Sequence, residues 1–130
     1  MNALADDPLG PQVRRLFAAL RHAGDPAGTA PVAYGEAGRE QRGTRVRFML
    51  QLAGERGLQV RYRAYGCPYT LAACEWLAAR LESAGRDSLG GPAEWAQQLH
   101  IPPSRLGRLL VVEDALMAAL AAADKTMTDS

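Results

Sequence analysis

The 130-residue chain reads as an α+β domain, a small antiparallel sheet with helices packed on one face. Two adjacent stretches, 44–53 and 58–65, alternate apolar and polar residues at a period of two, as half-buried strands do. The stretches before and after them repeat their apolar positions at helical spacing. Helices segregated from strands in this way point to α+β and away from alternating βα units.

The elements follow in order. Pro11 to Ala23 places Val13, Leu16, Phe17 and Leu20 on one helical face and leaves Arg14, Arg15 and Arg21 outside. Gly24, Asp25, Pro26 and Gly28 break that pattern, and a short extended piece, Val32 to Tyr34, precedes a glycine-rich turn at Gly35 and Gly38. From Thr44, Val46, Phe48, Leu50 and Leu52 face the core, with Arg45, Arg47, Met49 and Gln51 opposed. After a turn at Gly54 to Gly57, Val60, Tyr62 and Ala64 face inward against Gln59, Arg61 and Arg63, so the two strands form an antiparallel hairpin. An outer face this rich in arginine reads as a solvated sheet surface, or as a docking surface for an acidic partner.

Pro68 suits a first helical turn, and Leu71, Cys74, Leu77, Ala78 and Leu81 continue at helical spacing. Gly85 to Gly91 is a loop, and Pro92 to Leu99 forms a short helix with Trp95 and Leu99 inward. Ser104 is the expected cap of a last helix whose stripe is Leu109, Val112, Leu116, Leu120 and Ala123. The expected organisation is a flexible N-terminus at 1–10, one domain over 11–125, and a frayed tail at 126–130.

Composition narrows the function classes. Apolar residues make up 48% and charged residues 22%, the balance of a folded globular domain. A formal net charge of +1 lacks the clustered positive field that nucleic-acid binding needs, so no nucleic-acid partner is expected. Met1 to Gly10 carries Asp6 and Asp7 with no long apolar run, which reads as neither a signal peptide nor a membrane span. Cys67 and Cys74 are the only cysteines, too few for a disulfide framework, and they fit a reducing, cytoplasmic setting.

Chemistry concentrates at three places. In Tyr65-Gly66-Cys67-Pro68 a thiol stands where a strand meets a helix start. The positive end of the helix dipole favours thiolate there, so Cys67 reads either as the reactive cysteine or as a small residue at a tight junction. Cys74 lies seven residues on, about 10 Å along a helix, and belongs to the core. The other two places are Ile101-Pro102-Pro103-Ser104-Arg105 and Val112-Glu113-Asp114-Ala115. His22 and His100 read as lone surface or core histidines.

Taken together, these three motifs resemble the IscU/NifU iron–sulfur cluster assembly scaffolds over roughly Leu9 to Lys125. In that family a glycine-cysteine pair follows the last strand. A Leu-Pro-Pro-Val-Lys segment, recognised by a dedicated chaperone, precedes the last helix, and that helix carries a His-Cys pair followed by an Ala-Glu-Asp-Ala run. Family members hold their cluster with three cysteines, assisted by an aspartate and a histidine. The same register places the first cysteine at Arg42, the aspartate at Thr44 and the His-Cys pair at Gly107-Arg108, so that Cys67 alone is retained. A guanidinium has no lone pair to offer a metal.

The resemblance therefore implies a degenerate member of the family, with Cys67 as the remaining candidate for a cluster, zinc or sulfur. It implies a chaperone-binding segment at Ile101, Pro102, Pro103, Ser104 and Arg105, and a cysteine desulfurase or chaperone as partner. Three functions are open at this point: a non-enzymatic iron–sulfur assembly scaffold or accessory, a persulfide sulfur acceptor using Cys67, and a non-catalytic protein- or anion-binding module.

Overall fold

The structure, a computed structural model, describes residues 9–53 and 57–128. Its elements are α1 (Gly10–Ala18), β1 (Val32–Arg39), β2 (Thr44–Leu52), β3 (Leu58–Tyr65), α2 (Pro68–Ala84), α3 (Pro92–Leu99) and α4 (Leu106–Thr128). Single turns of 3-10 helix stand at Glu40–Arg42, Arg86–Ser88 and Pro103–Arg105. The strands form an antiparallel sheet in the order β1-β2-β3. The architecture is α+β, as expected from the separation of strand and helix patterns.

One face of the sheet carries the core. Val46, Phe48 and Leu50 of β2 and Val60 and Tyr62 of β3 are all at most 2% exposed, and they pack with Leu77 of α2 and Leu109, Val112 and Leu116 of α4 in one apolar cluster. α4 lies along β1 and β2, α2 lies against β3, α1 packs on α2, and α3 packs on α4. Trp95 of α3 is fully buried and donates its indole N–H to the Leu89 carbonyl at 2.6 Å, which satisfies its one polar atom.

Several sequence expectations are corrected. Gly35 and Gly38 do not form a turn but lie within β1, which runs from Val32 to Arg39. A Cβ on Gly35 would collide with the backbone of α4 at Ala115, Ala118 and Ala119, so glycine here permits a close helix–strand approach. The turn lies instead at the Glu40–Arg42 3-10 helix, closed by Gly43 at φ 92. α1 ends at Ala18, and Phe17 is 40% exposed, leaving Val13 as its buried anchor.

Met49 and Gln51 do point away from the helices, yet both are buried, while Leu52 is 48% exposed. The chain after α1 explains the buried pair. His22 and Gly24 pair with Tyr62 at the free edge of β3. The strand of chain that follows crosses the open face, where Asp25 accepts from Arg63 and the Ala30 carbonyl accepts from Gln51 at 2.8 Å, before it enters β1.

Ser104 lies inside the Pro103–Arg105 3-10 turn rather than at a helix cap, with Pro102 extended before it at φ −67 and ψ 149. The last helix continues to Thr128, past the start of the expected frayed tail. The expected flexible N-terminus lies outside the described residues up to position 8, and the turn at 54–57 does so over 54–56. Among the described residues no helix is long and apolar enough to cross a membrane.

Candidate functional site

Cys67 is the N-cap residue of α2, extended at φ −78 and ψ 169, and half-buried. Gly66 before it has a packing reason as well. A Cβ there would meet the Thr70 side chain at 2.9 Å, and this proximity leaves Thr70 Oγ1 3.6 Å from Cys67 Sγ. Partial burial works against the thiolate. The N–H and hydroxyl of Thr70, the Arg108 guanidinium and the N–H of Tyr69 outweigh it, and together they hold the Cys67 thiol below its ordinary value. Cys74, fully buried one helical stretch away, is pushed strongly upward by burial and by the neighbouring Glu75 charge. The two cysteines thus have opposite chemistry.

The positions separated by more than 60 residues meet in space. Arg42, Thr44, Gly107 and Arg108 line one cleft of about 390 Å³, joined there by Arg39 and Ser104. Antiparallel pairing of Arg39 with Thr44 brings Arg39, Arg42 and Thr44 to one end of the sheet, and the seating of α4 on β1 brings Ser104, Gly107 and Arg108 to the same end. Arg108 spans cleft and cysteine, because its guanidinium also acts on Cys67. Its Nε is buried without a hydrogen-bond partner. No Asp or Glu lines this cleft.

The open face of the sheet contrasts with it. Arg45 and Arg47 share Glu36 at 2.7 and 2.9 Å, Arg63 forks onto Asp25, and Arg61 meets Glu82 at 3.1 Å. Arg47 also stacks over Tyr34. With its arginines matched by the protein's own carboxylates, this face offers an acidic partner little unpaired charge.

The Ile101–Arg105 segment divides by burial: Ile101 is a core anchor, Pro102 and Arg105 are half-buried, and Pro103 and Ser104 are exposed beside the cleft. His100 caps α3 in the left-handed conformation at φ 54, its N–H turned back onto Ala96 and Gln97. His22 is neither lone nor on the surface. Its Nδ1 meets Glu75 and its Nε2 meets Glu82 at 2.9 Å, while Tyr62 donates to Glu75 at 3.1 Å and Val60 N–H donates to Glu82 at 2.7 Å. This network ties the chain between α1 and β1 to α2 and β3.

Sequence reasoning missed Arg39, Thr70 and the His22–Glu75–Glu82 network. Thr70 had a visible signal, a hydroxyl three residues after an N-cap position. The carboxylates had none, since each sits inside a helical pattern that looks amphipathic in its own right.

The donor set does not fit a cluster held by one chain. Arg42 and Arg108, which line the cleft, have no lone pair to offer a metal, and among the described residues no three His, Cys, Asp or Glu side chains gather in a metal-ligating group.

No family model matches the chain. An alignment of 123 residues that covers 85% of the chain shows 35% identity to the "Bifunctional protein NifU/MnmA" of Rubrobacter xylanophilus. It spans 23% of that longer protein. The similarity is thus to part of a NifU-named protein.

Proposed function

We propose that this domain serves iron–sulfur cluster assembly as a sulfur-handling accessory, without holding a cluster in the manner of the scaffolds it resembles. The observation that supports this reading is the convergence of Cys67 with Arg108 beside the cleft formed by Arg42, Thr44 and Gly107. On the family resemblance, Arg42 and Arg108 stand at former ligand positions, and Cys67 is the one thiol left beside them.

A single thiolate suffices to accept sulfur. In that step Cys67 Sγ attacks the outer sulfur of a desulfurase cysteine persulfide. A Sγ–S bond forms, the donor S–S bond breaks, and the donor cysteine leaves as a thiolate that takes up a proton from solvent. The sulfur moves with no net oxidation or reduction. Arg108 favours the attacking thiolate, and the cleft's positive field stabilises the persulfide anion that forms on Cys67. By family resemblance the Ile101–Arg105 segment, exposed at Pro103 and Ser104, is the candidate docking site for a chaperone.

The experiment is incubation with a cysteine desulfurase and cysteine, followed by mass spectrometry under non-reducing conditions. A gain of one sulfur on Cys67 and none on Cys74 is expected, with Arg108→Gln slowing the gain several-fold. Protein that gains no sulfur but is isolated without air carrying stoichiometric iron and acid-labile sulfide would overturn the accessory reading in favour of a scaffold.

A further inference from the structure

Two sets of arginines on and beside the sheet differ in their partners. Those on the open sheet face are each met by a carboxylate, Arg45 and Arg47 by Glu36, Arg61 by Glu82 and Arg63 by Asp25. Arg39, Arg42 and Arg108 converge on one cleft, and among the described residues no carboxylate is paired with any of them. Like charges gathered in a concave site raise each other's energy, and a low-dielectric wall sharpens the effect. The Nε of Arg108 adds a second cost, a buried donor with no acceptor inside the protein. A protein that neutralises its other sheet arginines internally has left these for something else.

We propose that the Arg39–Arg42–Arg108 cleft binds a phosphate group, free or carried as a phosphate monoester. The surroundings are rich in donors. Arginines from β1, from the Glu40–Arg42 turn and from α4 line the cleft together with the hydroxyl-bearing Thr44 and Ser104. The start of α4, a helix of 23 residues, lies at the cleft through Gly107 and Arg108, so its dipole adds positive potential. A carboxylate needs one guanidinium fork, whereas several forks from separate directions suit a dianion with oxygens on every side. The cleft's volume of about 390 Å³ leaves room for a substituent beyond the phosphate itself. Gly107 leaves the floor open, since a Cβ at that position would meet nothing within 4 Å. This inference stands on the cleft alone and does not rest on a role in cluster assembly.

The test is titration of the reduced protein with inorganic phosphate at fixed ionic strength, with chloride as the matched control, read as the shift in Tm and as the alkylation rate of Cys67. Phosphate should raise Tm saturably beyond chloride, and it should slow Cys67 alkylation because it takes up the charge of Arg108. Arg39→Gln combined with Arg42→Gln alters exposed side chains only and keeps the test independent of folding. This double variant should need at least tenfold more phosphate for the same shift, which separates site binding from general salt stabilisation. Phenyl phosphate binding more tightly than inorganic phosphate would assign the site to a phosphorylated molecule, and equal or weaker binding to free phosphate. A phosphate response equal to that of chloride, or unchanged in the double variant, would overturn the proposal.

Discussion

Replacing Gly35 by Ala tests how the site is held together, because it acts on the seating of α4 rather than on the cleft itself. The added Cβ would lie 2.5 Å from the Ala115 carbonyl oxygen and 2.6 Å from the Ala118 carbonyl carbon, with the Ala119 nitrogen nearer still. Ordinary contact begins at 3.4 Å, so the helix must retreat by about 1 Å or β1 must bend away by as much. All three obstacles are backbone, so no rotamer change relieves them. Overpacking of a core usually costs about 1–3 kcal/mol, and a clash that shifts a whole helix belongs at or above the upper end. We therefore expect a loss of about 3 kcal/mol or more in urea denaturation at unchanged m-value. The retreat also carries Arg108 away from Cys67, so alkylation of Cys67 should slow in the folded variant. Gly107→Ala is the control. It meets open space in a helical position and should be neutral or stabilise by up to about 1 kcal/mol. A loss below about 1 kcal/mol in Gly35→Ala would refute the close seating of α4 on β1.

Three further outcomes follow from the same structure. Cys67 should alkylate faster than Cys74 near neutral pH, its rate rising with pH through a value below the ordinary thiol range; equal rates would remove the basis for sulfur acceptance. Leu116→Ala, at a position with no exposure, should cost about 2–5 kcal/mol by urea denaturation, and a cost below about 1 kcal/mol would misplace the inner stripe of α4. Burial works to raise the pKa of Glu82, but the Val60 N–H, His22 and Arg61 outweigh it and hold the carboxyl below its unfolded value of 4.5. The stability Glu82 contributes is therefore fully present above that pH and is lost as pH falls through the lower folded value. Stability measured from about pH 5 downward should decline less steeply in Glu82→Gln, and an unchanged acid slope would show the carboxyl to be unpaired.

The parts of the fold visible in sequence are those whose signal is local. Alternation of Val46, Phe48 and Leu50 against Arg45 and Arg47 marks β2, and the spacing from Leu109 to Ala123 marks the inner face of α4. Gly35 and Gly38 misled because glycine signals a turn or a close approach with equal force, and only the position of α4 decides between them. Met49 and Gln51 looked exposed because the segment that covers them is remote in sequence and has no pattern of its own. At the site, Cys67 was legible from strand, glycine and proline. Nothing local links Arg42 to Arg108; only the family register suggested that they belong together, and Arg39 lay outside that register.

The cleft and the cysteine beside it share one cation. The cleft gathers Arg39, Arg42 and Arg108 with no carboxylate in its lining. Cys67 is a side chain whose negative form is favoured by Thr70 and by the neighbouring Arg108 cation. Arg108 is the shared element, with its guanidinium acting on the thiol and its Nε still lacking an acceptor. An oxyanion in the cleft and a thiolate at Cys67 therefore draw on the same charge, and each weakens the other. If both proposals hold, phosphate should inhibit sulfur acceptance in the parent protein and lose that inhibition in Arg39→Gln plus Arg42→Gln, where Arg108 still serves Cys67 alone. Inhibition of equal strength in both proteins would place the phosphate effect on the sulfur donor instead.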